Sequence, residues 1–181
     1  YGGFAELSYQ PIYELTLTAG GRLDSWAIQD GFRREVNIGG TVRSDDRFAD
    51  RSGTEWTGRA GFGWEFTNGF TLRGAGYRAW RLPTLNELYR PFTVFPVATR
   101  ANAALDVEKL RGVEAGFDVH SANGVSFGAT VFYNRLNDAI ANITVATNLR
   151  QRGNVDAVVA KGLELSGEAI LGQVALSGSY A

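Results

Sequence analysis

The sequence predicts an all-β chain, an antiparallel up-and-down transmembrane β-barrel in which about eight strands form a segment of a larger barrel. Three observations lead there. Apolar and polar side chains alternate with period two through most of the 181 residues. Short turns alternate with long connections. The few charges on the apolar phase are all basic and sit toward the long connections.

The candidate strands are residues 3–10, 13–26, 54–66, 70–80, 108–120, 125–137, 157–169 and 173–181. Tyr9 of the first lies on the apolar phase. In the second, Tyr13, Leu15, Leu17, Ala19 and Leu23 share a face opposite Glu14, Thr16, Thr18, Arg22 and Asp24. The third sets Trp56, Ala60, Phe62, Trp64 and Phe66 against Glu55, Thr57, Arg59 and Glu65. The fourth puts Phe70, Arg78 and Trp80 on the apolar phase, with Arg73 and Tyr77 opposite. The fifth opposes Val113, Ala115, Phe117 and Val119 to Glu108, Glu114, Asp118 and His120. The sixth opposes Phe127, Ala129, Val131 and Tyr133 to Ser126, Thr130 and Asn134; Phe132 and Leu136 break its polar side. Leu163 and Leu165 face away from Glu164, Ser166 and Glu168, and Val174, Leu176 and Tyr180 from Gln173, Ser177 and Ser179.

Short connections fall at Gln10–Pro11–Ile12, Thr67–Asn68–Gly69, Ser121–Ala122–Asn123–Gly124 and Leu171–Gly172, where Gly, Asn and Pro suit tight turns. Long ones span 27–53, 81–107 and 138–156. Bacterial outer-membrane barrels combine short periplasmic turns with long extracellular loops. A soluble barrel or sandwich, with its apolar face inward, alternates in the same way. Charge separates the two. Arg78, Lys109, Arg111, Arg135 and Lys161 occupy the apolar phase only near the long connections, while acidic residues keep to the other phase. A basic side chain at a membrane boundary lays its stem on lipid and extends its head to the headgroups. Aromatics on the apolar phase form two groups: Tyr9, Tyr13, Trp64, Phe66 and Phe70 by the short turns, and Trp56, Trp80 and Tyr133 toward the long connections. Trp26 and Tyr77 fall on the polar phase and break this belt. The charges of the polar phase would need nearly complete pairing in a narrow interior, so a wide bore suits them better.

Composition narrows the function. With 23 Gly, only 4 Pro and 12% aromatics, the chain suits strands rather than disorder. A net charge of −1 gives no reason to expect nucleic acid as a partner. There is no Cys and one His, His120, so the usual zinc sets and a Ser-His-Asp triad find no support. The sequence points to neither a catalytic residue, a cofactor nor a metal. Ser44, Asp45, Asp46 and Asp50 could bind Ca²⁺ in an outer loop, although a solvated loop accounts for them more simply. Glu164 and Glu168 share the polar face, and a solvated wall explains them better than acid–base catalysis. There is no Met and no secretory leader, and both ends lie within strand patterns; the chain is therefore expected to be an excerpt of a longer protein.

The run Tyr77–Arg78–Ala79–Trp80–Arg81–Leu82–Pro83–Thr84–Leu85–Asn86–Glu87–Leu88–Tyr89 resembles the Y-R-x-x-R-A-P-T-L-N-E-L-Y segment of TonB-dependent outer-membrane receptors. Leu82 stands where Ala is usual, and Ala103 where Pro is common. Asn102, Leu105 and Glu108 are similar to the family's approach to its next strand, which Gly112–Val113–Glu114–Ala115–Gly116 resembles at its start. Residues 129–140, Asn154 with Lys161–Gly162–Leu163–Glu164, and Gly21–Arg22–Leu23–Asp24 follow in kind. The resemblance covers nearly the whole chain. It implies a 22-stranded barrel, of which residues 1–181 are a partial barrel, with the plug domain and C-terminal strands absent.

It also implies a location in the bacterial outer membrane and uptake of a siderophore, cobalamin or similar nutrient rather than an enzymatic activity. The partners would be outer-membrane lipid and lipopolysaccharide, a small nutrient ligand, and TonB only through the missing plug. The residues chosen for ligand binding lie in a long connection: Arg81, Tyr89, Arg90, Phe92, Phe95 and Arg100. Arginine forks bind phosphate or carboxylate groups, as on lipopolysaccharide or an anionic siderophore. A soluble β binding module is the competing reading, and an outer-membrane enzyme a third.

Overall fold

The computed structural model describes residues 1–181. Its strands are β1 (Gly2–Ile12), β2 (Leu15–Ile28), β3 (Phe32–Val36), β4 (Val42–Arg47), β5 (Arg51–Thr67) and β6 (Phe70–Arg81), followed by the short helix α1 (Leu85–Tyr89). Beyond it lie β7 (Phe92–Val94), β8 (Val97–Arg100), β9 (Glu108–His120), β10 (Val125–Ala146), β11 (Leu149–Leu171) and β12 (Val174–Tyr180). Eight long strands pair antiparallel in the order β1-β2-β5-β6-β9-β10-β11, with β12 on β11. Each overlaps one of the spans read from the alternation, although β10 and β11 run well past 125–137 and 157–169. The sheet is open, with β1 and β12 unjoined.

Four connections differ from the reading above. Residues 27–53 contain the β3–β4 hairpin, and 81–107 contain α1 and the β7–β8 hairpin, whose β8 adds in parallel to β11. Residues 138–156 form no loop. β10 and β11 stay paired from Val125↔Ala169 up to Ala146↔Leu149 and turn at Asn148, which has φ 56°. About 9–11 residues of a tilted strand cross a bilayer. At 22 and 23 residues, β10 and β11 are about twice that length. At the other end, β1 continues through Pro11 in an irregular pairing, and the chain turns at Tyr13–Glu14 instead of 10–12.

The apolar face of the sheet is open. Leu17, Phe62 and Val131 are 38%, 44% and 55% exposed. Only 11 of 181 residues are buried, so these side chains close no sealed interior. Near the short turns an aromatic row crosses four strands: Trp64 to Phe66 at 5.7 Å between centroids, Phe66 to Phe70 at 4.8 Å, Phe70 to Phe117 at 5.5 Å and Phe117 to Phe127 at 5.9 Å. At the opposite end, Arg78 and Lys109 do not extend freely as the sequence suggested. Both reach the Glu55 carboxylate, at 3.2 and 3.0 Å, and Arg78 also covers the Trp56 ring at 4.4 Å.

The polar face is laced by side-chain bridges. Arg73 donates to Asp118 at 2.8 Å and to Thr130 at 2.6 Å. Tyr77 donates to Asn134 at 2.9 Å, spanning the intervening β9 at Gly112. A Cβ at Gly112 would collide with both partners, so the bridge needs a residue with no side chain there. Three of the four residues that broke the pattern on this face lie against a glycine of the neighbouring strand, Trp26 on Gly53, Tyr77 on Gly112 and Phe132 on Gly162, whereas Leu136 pairs with Leu110 and Val158.

Candidate functional site

The apolar cluster of the molecule sits at the long-connection end, on the polar side of the sheet. Leu88 and Leu105 are 1% and 0% exposed; Tyr89 joins them, with Ile28, Phe48, Ala103 and Ile140 packed around. The sequence brings α1 there by its start signal. Thr84 is the N-cap: its side chain accepts from the Glu87 N–H, while the Glu87 carboxylate accepts from the Thr84 N–H at 2.7 Å. This reciprocal Thr-x-x-Glu arrangement satisfies donors that a helix start leaves unpaired. The chain then turns outward through Arg90 and Pro91.

A knot of ion pairs and hydrogen bonds holds this segment to five strands. Arg81, at the end of β6, donates to Glu87 at 3.0 and 3.2 Å and also to Glu108. Glu108, at the start of β9 and 7% exposed, accepts in addition from the Ile140 N–H of β10 at 2.6 Å. Arg152 of β11 reaches Glu87 at 3.8 Å. Asn154 accepts from the Asp106 N–H at 2.9 Å and donates to the Asp138 carbonyl at 2.6 Å. Asn102 donates to the Arg152 carbonyl at 3.0 Å, and Arg51 of β5 to the carbonyls of Ala103 and Leu105 at 2.8 and 2.7 Å.

Partial burial works against the charge of Glu87, but hydrogen bonds from Arg81 and Thr84 outweigh it and lower its pKa from 4.5 to about 2. A carboxyl whose folded pKa lies below its unfolded value stabilises the fold fully above the unfolded value. That contribution is lost as pH falls from 4.5 through about 2. Protease nicking within residues 82–104 is therefore expected to stay constant from neutral pH down to about 5 and to rise below it. Glu87→Gln should flatten this profile; an unchanged profile in that variant would show that another group controls the loop.

Beside the knot, the β3–β4 hairpin and the α1–β8 segment enclose a cleft of about 490 Å³. Its polar lining includes Arg33, Glu35, Arg43, Asp46, Tyr89 and Arg100. Arg33 is committed to Asp46 at 2.6 Å, and Ser44 with Arg33 lowers the Asp46 pKa. Arg43 and Arg100 have no ion-pair partner and leave the cleft cationic. The Tyr89 hydroxyl is buried and makes no hydrogen bond, as is Arg33 Nε.

The six residues chosen from sequence are distributed as follows. Tyr89 and Arg100 meet in this cleft. Arg81 is held in the knot by Glu87 and Glu108. Arg90 is exposed at the end of α1, its N–H bonded to the Asn86 carbonyl at 3.2 Å. Phe92 lies under the Arg152 guanidinium at 5.3 Å, and Phe95, 92% exposed, stands at the tip of the β7–β8 hairpin. Sequence reasoning missed Arg33 and Arg43, which belonged to a connection read as unstructured. The signal was present: Asn37–Ile38–Gly39–Gly40–Thr41 between two alternating runs is a hairpin pattern. Asp46 and Asp50, considered for Ca²⁺, turn to separate partners, Arg33 and the Asp30 N–H.

A family model described as TonB dependent receptor-like, beta-barrel matches residues 1–181. Among solved structures, a double mutant of the Serratia marcescens hemophore receptor HasR, in complex with its hemophore HasA and heme, is similar with a TM-score of 0.82 and 16% identity. That match covers 98% of this chain and 32% of the receptor. The siderophore receptor PirA from Pseudomonas aeruginosa gives 0.73 at 18% identity, covering 98% and 32%. The copper transporter OprC gives 0.75 at 21% identity, covering 96% and 26%. No curated protein matches the chain. It spans about a third or less of the length of these receptors. Matched by the family model from end to end, the chain belongs to the TonB-dependent receptor β-barrel family.

Proposed function

We propose that this chain forms part of the barrel wall of an outer-membrane receptor that imports a siderophore, cobalamin or similar scarce nutrient, and that it acts by binding and passage rather than by catalysis. In this reading its eight long strands are a segment of a 22-stranded barrel. A plug domain outside residues 1–181 would receive energy from TonB. The observation that carries the reading is the open apolar face, set against a polar face bridged by ions. A wall of this kind needs hydrocarbon on one side and a wet or plugged bore on the other. The solved relatives named for heme, siderophore and copper fit the same role.

The cleft of Arg33, Arg43, Tyr89 and Arg100 supports an anionic ligand, since its two unpaired guanidinium groups can each fork onto a carboxylate or phenolate. Titrating the intact receptor with negatively charged ferric siderophores tests this. Arg43→Ala with Arg100→Ala is expected to weaken binding of the best of them by roughly tenfold or more, with the fold unchanged. Equal affinity in the double variant would remove the cleft from the ligand path.

A further inference from the structure

One strand edge at the long-connection end of the molecule has no partner. The ladder between β9 and β10 stops at Asn137, because β9 begins at Glu108, while β10 stays paired with β11 on its other side. The Ile140 N–H, turned away from β11, is taken by the Glu108 carboxylate. Main-chain groups alternate in direction along an antiparallel strand, so those of Asn142 and Thr144 turn the same way as Ile140. Nothing in the chain bonds to them, and residues 142–146 are exposed. Edges left open in this way template further pairing, and proteins commonly blunt them with charge, proline or a bulge. The other open edges at this end follow that rule. The β3–β4 hairpin carries Arg33, Arg34, Glu35, Arg43, Asp45 and Asp46, and β7 is flanked by Pro91 and Pro96. The β10 edge does not. From Ala139 through Leu149 there is no charge, proline or glycine, and the one irregularity of pairing falls after Thr144. Ile143 and Val145 are exposed on the apolar phase, and Asn142 and Thr144 face the other way.

We propose that this edge is a docking site for an extracellular protein, which adds an uncharged, extended segment to β10 as a further strand. Only another strand meets such an edge fully, because it presents N–H and C=O groups at the same spacing. Asn142 and Thr144 each offer one donor and one acceptor to it. The absence of charge along the edge selects a neutral segment, since an ionised side chain beside it would find no counter-ion. On the partner, side chains beside Ile143 and Val145 are apolar, and those beside Asn142 and Thr144 are small and polar; such cross-strand pairs stabilise neighbouring strands. Main-chain bonds supply the affinity and the alternate side chains the specificity. A further strand of the barrel wall cannot take this place. β10 already lies between β9 and β11, and wall strands can add only at β1 and β12. That the edge stands outside the cell rests on the receptor reading above.

The probe is a short synthetic peptide alternating valine and threonine, its ends capped and alternate nitrogens methylated so that only one edge can pair. Titrated into the intact receptor in neutral detergent, it should bind saturably and slow hydrogen exchange at the Asn142 and Thr144 amides. The Ala141 and Ile143 amides, already turned to β11, should not change. Methylating the remaining peptide nitrogens should abolish binding. Thr144→Pro removes an N–H that the β10–β11 ladder does not use, and Ile143→Lys sets a charge on the edge; each should weaken binding about tenfold or more. Ile38→Ser, an exposed apolar position between β3 and β4, should leave binding unchanged. Equal affinity in the proline and lysine variants would overturn the site. Amides at Asn142 and Thr144 that are already protected in the free receptor would overturn it too, giving the edge to another part of the receptor or to a second copy. Binding to purified receptor but not to intact cells that carry it would overturn the extracellular placement, and the receptor reading with it, separately from the edge.

Discussion

Replacing Glu108 by alanine is expected to lower the stability of the receptor by about 2–4 kcal/mol and to loosen residues 82–107. Glu108 is nearly buried, and its carboxylate is shared by Arg81 and the Ile140 N–H. Alanine leaves that N–H without its partner at a packed site, and Arg81 keeps only Glu87. The loss is greater than that of an isolated surface ion pair because Glu108 links β6, β9 and β10 to the segment that carries α1. Glu108→Gln keeps an acceptor for the Ile140 N–H and should recover part of the loss. Thermal melting in detergent measures the stability, and limited proteolysis within 82–107 measures the loosening. Should melting and clipping both match the parent chain, the knot would be an ornament of the loop and not its anchor.

The strand ladder was legible because each long strand has one face for apolar side chains and one for polar ones, so period two survives in the sequence. It failed where a strand leaves that regime. Above Asn137 the alternation is interrupted by Asp138, Asn142, Thr144, Arg150, Gln151 and Arg152, while β10 and β11 stay paired up to Ala146↔Leu149. Some of the residues that carried the family resemblance prove to be those of the knot. Thr84, Glu87, Leu88, Tyr89, Asn102, Leu105, Glu108, Ile140 and Asn154 cap, bond or pack against one another. Their physical role is to tie a long connection to the wall, and it does not depend on a particular ligand. The cleft was harder to read, since Arg33 and Arg43 reach it only after β3 and β4 pair, at a distance in sequence from Arg100. No local spacing records that meeting.

The orientation of the wall leads to the sharpest contrast available between neighbouring residues. Leu165 and Ser166 are consecutive on β11: Leu165 pairs with Ala129 and Tyr180 on the apolar face, Ser166 with Gly128 and Ser179 on the polar one. Both lie midway between Lys161 and the turn at Gly172, well below the headgroup level expected of Lys161. An arginine at Leu165 would therefore have to place its charge in hydrocarbon at mid-depth, which costs about 2–4 kcal/mol in a barrel of this kind. An arginine at Ser166 would face the side that already holds Arg73, Glu164 and Glu168, where water or a carboxylate can receive it. Leu165→Arg should thus lower the denaturant midpoint and the yield of membrane-inserted receptor, while Ser166→Arg leaves both near the parent values. In a soluble barrel the polar face would be the outer one. Ser166→Arg would then be harmless in both cases, so the decisive reading is the solvent dependence of Leu165→Arg. A lipid-facing arginine becomes tolerable when the bilayer is thinned toward its height, because the head then reaches the boundary, whereas one sealed in a protein core gains nothing from thinner lipid. Rescue of Leu165→Arg in short-chain vesicles supports the outward face, and indifference to lipid thickness would place Leu165 inside.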